Sequence, residues 1–203
     1  AKMKDSGIEW LGEIPEHWDT CKLKYLANLK SGKSITADSI DPIGQYPVYG
    51  GNGRRGFTDK YTNEGEYILI GRQGALCGNI NYAKEKFWAS EHAVVVYPKV
   101  PLNTFFFGEL LRTMNLNQYN ESAAQPGLSV SKISNLNLPI VPLNEQKNIS
   151  IFLYKKINQS KKTIKKIQTV IKKLKEYRQS IISEAVTGKV DVRSWQETVE
   201  LQR

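Results

Sequence analysis

Two short segments rich in glycine carry side chains suited to reading DNA bases. One holds Arg54 and Arg55, and the other holds Arg72 and Gln73, each pair lying between glycines. Arginine can donate two parallel hydrogen bonds to guanine, and an amide side chain can make a paired contact with adenine. Because glycines let the backbone come close to a ligand, we predict two turns that present base-reading side chains.

The predicted DNA contacts form two groups by chemistry. The first group can make base-specific hydrogen bonds, and its members are Asn52, Arg54, Arg55, Arg72, Gln73, His92 and Gln125. Residues expected to hold phosphates are Lys30, Lys33, Lys60 and Lys132. Phosphate contacts fix the position of a protein on the duplex, whereas base contacts supply the specificity. The alternative for both groups is a set of ordinary polar side chains on exposed turns.

The segment from residue 51 to residue 56 also has the glycine spacing of a dinucleotide-binding loop. In such a loop the third glycine opens a helix whose N-terminus holds the pyrophosphate. Here Gly56 is followed by Phe-Thr-Asp-Lys-Tyr, which does not predict the start of a helix. A nucleotide site is therefore not expected, and a turn is the better interpretation.

The sequence contains no complete catalytic pattern. The sequence has no paired cysteine or histidine motif for zinc, no phosphate-binding P-loop and no nucleophile elbow. A methyltransferase tetrapeptide is also missing, since Asp41 and Pro42 are followed by Ile and Gly. The best carboxylate cluster, at Asp59, Glu64 and Glu66, lacks a convincing Glu-x-Lys partner. We expect a protein without a catalytic residue, a metal or a cofactor.

A small mixed body must position the base-reading segments. Its predicted strands are residues 46–49, 67–70, 93–97 and 138–141. Its predicted helices are residues 102–116 and 129–136. Residues 22–29 form a short helix or strand, and the first 20 residues an arm that packs Ile and Trp side chains onto the body. The fold class expected is α+β, a mixed α/β recognition body followed by one long helix.

The last quarter of the chain predicts one long helix with a heptad stripe. Its positions recur at alternating intervals of four and three, and only Ser160 and Arg178 among them are polar. The apolar members expected to form a dimer are Leu153, Ile157, Ile164, Ile167, Ile171, Leu174 and Ile181. Asn144 is the predicted N-cap, and Gly188 the predicted stop. At about 1.5 Å per residue the helix is about 64 Å long.

This stripe must be covered by another helix. No other segment predicts a helix of similar length, so we expect the partner helix to belong to another chain. The charge is uneven: residues 1–143 carry 15 basic and 14 acidic residues, whereas residues 144–186 carry 11 and 3. The excess of lysine on the helix either keeps a coiled coil soluble or lies beside a polyanion such as DNA.

Composition indicates a cytoplasmic protein of 203 residues. There is no run of 18 apolar residues to span a membrane, and the first residues lack the apolar core of a signal peptide. The two cysteines, Cys21 and Cys77, fit reduced thiols better than a disulfide scaffold.

Five stretches spread along the chain resemble one known family. They are GIEWLGEIPEHW at 7–18, YPVYGGNG at 46–53, ILIGRQG at 68–74, PIVPLNEQK at 139–147 and SEAVTGKVDVR at 183–193. As a set they are similar to the DNA-specificity subunit of type I restriction–modification enzymes. The resemblance implies a non-catalytic subunit in which a recognition domain reads a few base pairs and a long helix follows it.

The resemblance also implies an assembly. In that family two such units occur in tandem with antiparallel helices, and the subunit docks two methyltransferase subunits, to which translocase–nuclease subunits add. This chain has one unit, about half of the usual length. We expect residues 1–143 to recognise DNA, residues 144–187 to form an antiparallel homodimer, and residues 188–203 to be a tail. A homodimer predicts a palindromic split site, its half-sites at most about 19 base pairs apart.

Two other function classes remain open from the sequence. One is an autonomous dimeric DNA-binding regulator that has no enzyme partner. The other is a coiled-coil assembly protein whose body does not bind DNA. Co-purification with a methyltransferase argues against the first, and sequence-selective DNA binding argues against the second.

Overall fold

A computed structural model describes residues 2–74, 76–120, 127–193 and 195. The strands are β1 Met3–Asp5, β2 Glu13–Pro15, β3 Asp19–Lys22, β4 Ala27–Ser31, β5 Tyr46–Gly50, β6 Gly53–Thr58, β7 Asn63–Glu64, β8 Tyr67–Gly71, β9 Ile80–Ala83, β10 Lys86–Ala89, β11 Ala93–Pro98 and β12 Asn137–Ile140. The α-helices are α1 Leu23–Leu26, α2 Thr104–Thr113, α3 Val130–Ser134 and α4 Leu143–Val186. Short 3-10 helices cover Ala37–Ser39 and Leu116–Tyr119.

Two four-stranded sheets form the body. One is antiparallel and has the order β4-β11-β8-β9. The other has the order β6-β5-β10-β7, and in it β5 and β10 run parallel. There are also two small antiparallel ladders. β1 pairs with β2 within the N-terminal arm, and β12 pairs with β3, which joins the two ends of the body.

The antiparallel sheet is covered on both faces. Ile68 and Ile70 of β8 join the larger core cluster, which includes residues of α1, α2 and α3. Leu69 between them joins a second cluster with Phe87 and Val95, which belong to β10 and β11. Since successive strand residues point to opposite faces, both sets of side chains are buried. This double burial explains the unbroken apolar run of residues 93–97.

The N-terminal arm is attached to the first turn of α4. The indole nitrogen of Trp18 donates to Oε2 of Glu145 at 3.0 Å, and Nε2 of His17 lies 2.7 Å from Oε1. The bonds from Trp18 and His17 hold the pKa of the Glu145 carboxyl below its usual value. Ile14 of β2 is buried. The expected packing of Ile and Trp side chains of the arm is therefore confirmed.

The ends of α4 agree with one prediction and contradict another. Asn144 lies inside the first turn, since α4 already begins at Leu143. The carbonyl of Pro142 accepts from the backbone N–H of Gln146 at 3.0 Å, so Asn144 is not the N-cap. Gly188 does end the helix, because its φ of +72° is one that glycine adopts without strain.

The chain divides into two compact units, the first ending at Ile151 and the second starting at Phe152. The first two turns of α4 belong to the first unit. There Oε1 of Gln146 accepts from the backbone N–H of Asn103 at 2.9 Å, and the hydroxyl of Ser150 donates to Oδ1 of Asn103 at 2.6 Å. Mixed sheets followed by one long helix confirm the expected α+β class.

Among the described helices, none combines the length and the apolar character that crossing a bilayer requires. The elements predicted from the sequence are present, with ends shifted by a few residues. The segment 22–29, for which the sequence predicts a short helix or a strand, contains both, since α1 leads directly into β4.

Candidate nucleic-acid interface

Five of the predicted base-reading residues line one open groove in the body. Asn52, Arg54 and Arg55 come from the β5–β6 hairpin, Gln73 follows β8, and His92 precedes β11. The groove has a volume of about 550 Å³. Three chain segments that are distant in sequence therefore present hydrogen-bonding side chains to the same space.

A β-bulge aims the two arginines. In the β5–β6 ladder Val48 pairs with Gly56 and Tyr49 pairs with Arg54, so Arg55 is the extra residue on β6. A bulge turns a side chain that would otherwise point to the opposite face. Both arginines are exposed and both line the groove.

The prediction that a turn presents Arg54 and Arg55 is wrong. The two-residue turn after β5 consists of Gly51 and Asn52, and Arg54 and Arg55 already belong to β6. The guanidinium of Arg54 lies 5.0 Å from the ring centre of Phe57, a cation–π contact that favours one orientation. Among the described residues neither arginine has a carboxylate partner in an ion pair.

Close backbone packing joins the two glycine segments. A Cβ atom on Gly71 would overlap the carbonyl oxygen of Gly51, so a larger residue there would push the hairpin away. A Cβ on Gly50 would lie 2.6 Å from Cδ of Arg55, because that side chain passes over the glycine. The glycines thus serve the approach of two protein segments to each other.

His92 lies between two acceptors. Its Nδ1 is 2.7 Å from Oε1 of Gln73, and its Nε2 is 3.2 Å from Oε1 of Glu91. A protonated ring can donate to both oxygens, whereas a neutral ring can donate to only one. The contact with His92 uses the Gln73 oxygen and leaves the Gln73 NH₂ group as a donor toward the groove. The hydrogen bond to His92 therefore fixes the orientation of the Gln73 side-chain amide.

Asn79 orients a residue of the groove and is not among the residues predicted from the sequence. Its Nδ2 donates to Oδ1 of Asn52 at 3.0 Å, which orients the amide at the hairpin turn. Asn81 lies two residues further on, and its Nδ2 is buried with no hydrogen-bond partner among the described residues. The sequence pattern Asn79-Ile80-Asn81 could have identified Asn79. In a strand, residues two apart lie on the same face, so both asparagines face away from the buried Ile80.

Two further base-reading candidates are not placed in the groove. Arg72 is half-buried and does not line it; its Nη1 donates to the hydroxyl of Ser31 at 3.2 Å. Backbone bonds from Arg72 to His92 and from Leu128 to Arg72 hold this segment against its neighbours. Gln125 lies outside the described residues.

The four phosphate candidates do not line the groove either. Lys30 extends over the ring of Tyr97 at 5.6 Å, and Lys33 directly follows β4 and Gly32. Lys60 lines a separate cleft together with Asp59 and Trp88. Lys132 lies on α3, the helix whose Ile133 belongs to the larger core cluster. The four lysines are therefore distributed over several parts of the body, and their contact with phosphates stays a prediction.

The chemistry of the groove favours recognition. Guanidinium and amide groups supply the donors and acceptors that base edges match in the major groove. Within the described ranges, no group of three or more His, Cys, Asp or Glu residues is arranged to hold a metal ion. The cationic arginines also attract a polyanion at long range.

The second unit has a different surface. Its predicted dimerisation residues Ile164, Ile167, Ile171, Leu174 and Ile181 are between 46% and 60% exposed. Leu153 and Ile157, nearer its start, are half-buried. Helical periodicity places most of the lysines on the other side from this stripe. These outward lysines are Lys155, Lys162, Lys165, Lys166, Lys172 and Lys173.

Comparison with known proteins places the chain among restriction specificity proteins. Residues 15–173 match the model of the type I restriction modification DNA specificity domain. The EcoprrI type I restriction enzyme specificity subunit of Escherichia coli is 41% identical over 137 residues, 66% of this chain and 34% of that protein. A putative type I specificity subunit of Haemophilus influenzae is 31% identical over 151 residues, 72% of this chain and 37% of that protein.

Solved structures share the fold. The HsdS subunit of Thermoanaerobacter tengcongensis matches 93% of this chain and 48% of its own, with a TM-score of 0.63 and 18% identity. A chain from a study of assembly and conformational transition in the type I R-M system matches 85% of this chain and 46% of its own, with a TM-score of 0.68 and 20% identity. This chain thus spans about a third to a half of the length of these relatives.

Proposed function

The chain belongs to the family of type I restriction modification DNA specificity domains, and from that membership we propose that it reads one half of a split DNA target as an antiparallel homodimer. The observation that carries the proposal is the convergence of Asn52, Arg54, Arg55, Gln73 and His92 on one groove. In this proposal residues 1–143 recognise DNA, residues 144–187 dimerise and residues 188–203 form a tail.

Base reading is assigned to the groove because its side chains are held in defined orientations. Arg54 rests on Phe57, Gln73 is bonded to His92, and Asn52 is bonded to Asn79. Groups oriented before binding lose less conformational entropy when they meet a base edge. Arg72, Gln125 and the lysines Lys30, Lys33, Lys60 and Lys132 would supply the remaining base and phosphate contacts.

The homodimer is supported by the exposed stripe of α4. Five large apolar side chains of one stripe are about half exposed, which a helix in water does not favour. A second copy covers the stripe, and a two-fold axis between antiparallel helices turns the two bodies into opposite orientations. Two identical bodies related in this way read identical half-sites in inverted order.

The methyltransferase is proposed as the catalytic partner. The chain itself would have no catalytic residue, metal or cofactor, and it would direct methyltransferase subunits and, through them, translocase subunits to the target. A cytoplasmic location follows from this role, since the DNA and the enzyme subunits are there. The outward lysines of α4 would face either the spacer DNA or an acidic surface of the methyltransferase.

The test is selection of bound sequences from random duplex DNA by the chain together with its methyltransferase subunits. We expect enrichment of an interrupted site whose two halves are identical and inverted. Methylation of the selected site by the reconstituted complex, and not by the methyltransferase alone, would support the assignment of specificity to this chain. The selection is run in parallel at two salt concentrations, because nonspecific phosphate binding falls steeply with salt.

Two results would contradict the proposal. Enrichment of a single undivided site would contradict the proposal that two copies of the chain each read one half-site. Absence of any enrichment with the methyltransferase present would remove base recognition by this chain and leave an assembly role.

A further inference from the structure

We infer that the exposed stripe of α4 is built to pair with a second copy of itself in one register, with the two-fold axis crossing the helix pair at the level of Thr169. The inference rests on the proposed homodimer and goes beyond it by naming which side chains meet. Around this axis, stripe residues that lie equally far before and after residue 169 face each other. The residues on the two edges of the stripe pair in the same way, but about residue 170 on one edge and about residue 168 on the other. The helix overlap then runs from Phe152 to Val186, which is the whole helical part of the second unit.

The apolar positions of the stripe pair with one another in this register. Ile157 of one copy meets Ile181 of the other, Ile164 meets Leu174, Ile167 meets Ile171, and Leu153 meets Ala185. Each of these contacts occurs twice, because the two-fold axis repeats it. All the apolar positions of the heptad stripe are therefore matched with apolar positions, as a coiled-coil seam requires.

The two polar positions also meet each other. Ser160 precedes Thr169 by nine residues and Arg178 follows it by nine, so each faces the other across the axis. Both are exposed in the single chain. The serine hydroxyl can accept from the guanidinium, and that contact gives the polar group in the seam a partner. A shift by one heptad would instead put Arg178 against an isoleucine or a leucine.

The flanks of the stripe agree with the same register. On the edge that pairs about residue 170, Lys156 comes level with Glu184 of the other copy, and Val170 meets its own counterpart. On the edge that pairs about residue 168, Tyr154 comes level with Ile182. Opposite charges and apolar pairs at flanking positions favour one partner and one orientation.

One flanking pair carries like charges. Lys161 comes level with Lys175 of the other copy, both side chains being long enough to turn their ammonium groups toward water. Polar groups within a seam reduce stability but select register, because any other alignment buries them without a partner. Ser160 and Arg178 are therefore register-specifying residues, and the partner chemistry that fits this stripe is a second copy of this chain.

The experiment measures the dimer dissociation constant of the full chain by sedimentation equilibrium, with Ser160→Asp and Ser160→Lys beside the wild type. In the inferred register Ser160→Asp places a carboxylate against each Arg178, so we expect dimerisation about tenfold tighter. Ser160→Lys places two cations together, so we expect it about tenfold weaker. A parallel pair brings each residue 160 against itself, so both variants weaken it.

Gln159→Asp is the matched control. It adds the same charge one residue away, on the outward side of α4, and should leave the dissociation constant unchanged. A wild-type dimer that Ser160→Asp leaves unchanged or weakens overturns the register while the proposed homodimer stands. A wild type that stays monomeric overturns the homodimer and the register together, and the DNA selection then tests base reading separately.

Discussion

The two units of the chain differ in where their apolar surface goes. In the first unit Phe87 and Leu69 are fully buried between the two sheets, and Leu111 of α2 is buried in the larger core cluster. In the second unit Leu174 is 60% exposed and Ile171 is 47% exposed. The body buries its hydrophobic surface within one chain, whereas the helix exposes its apolar stripe, which we propose a second helix covers.

This difference separates two kinds of stability. Burial inside one chain stabilises the fold at any protein concentration, and here two sheets and three short helices supply it. Burial between chains depends on concentration, because a stripe of this kind is covered only when a partner binds. In the proposed dimer, the fold of the body would therefore not depend on protein concentration, whereas the pairing of α4 would.

The largest expected effect is on the helix. Ile167→Lys/Ile171→Lys places four lysines at the centre of the proposed dimer and removes four buried isoleucines from it. At about 1.5–3 kcal/mol for each isoleucine, dimerisation should weaken at least about a thousandfold. Light scattering should then give about half of the wild-type mass, with the body still folded.

Its matched control is Gln179→Lys/Ser183→Lys, which adds the same charge at the same spacing on the outward side. That variant should keep the wild-type mass. A wild-type chain that is itself monomeric would mean that the stripe is reserved for a different helix.

The next effect tests whether the body is stable by itself. Phe87→Ala removes a fully buried ring that contacts Tyr49 and Tyr67, and should lower the free energy of unfolding by about 3–5 kcal/mol. Urea unfolding should show this loss equally at low and high protein concentration. Ile43→Ala, at a side chain that is 87% exposed, is the control and should change little. A loss that grew with concentration would contradict the division between the two units.

A smaller effect is expected for a variant that tests base reading independently of dimerisation. Arg54→Ala should relax the selected sequence at one base pair, at a cost of about 1–3 kcal/mol in discrimination, and leave the mass of the dimer unchanged. Competition binding with single-base variants of the selected site measures it. Lys84→Ala, an equal charge change at a residue that does not line the groove, should leave discrimination intact. Equal weakening for all sequences would assign Arg54 to a phosphate.

The smallest effect is a pH dependence where the arm meets α4. The pKa of Glu145 is lowered by its bonds to Trp18 and His17, so these contacts stabilise the attached arm above the usual glutamate pKa of about 4.3. The stabilisation is lost as the pH falls through the lowered value, since protonation weakens the acceptor. The indole N–H resonance of Trp18 should shift over that range. In Glu145→Gln the shift should vanish, and its persistence would assign the change to another group.

Much of the secondary structure could be predicted from local sequence patterns. The heptad spacing predicted α4, and the β-branched run at 93–97 predicted a buried strand, because both depend on the periodicity of neighbouring residues. The end of α4 was predicted correctly from the conformational freedom of Gly188. The start of α4 was predicted wrongly. The carbonyl of Pro142 accepts the first backbone bond, so the polar side chain of Asn144 was a misleading cap signal.

The sequence by itself determined the chemistry of the candidate residues and the apolar stripe of the long helix. Only the tertiary structure brought Asn52, Gln73 and His92 into one groove, since strand pairing joins segments that are distant along the chain. It also showed that Arg54 and Arg55 lie at a bulge in β6, not in the turn, and that Asn79 orients Asn52. Side-chain direction in a sheet depends on register, and register is set by partners that no local pattern contains.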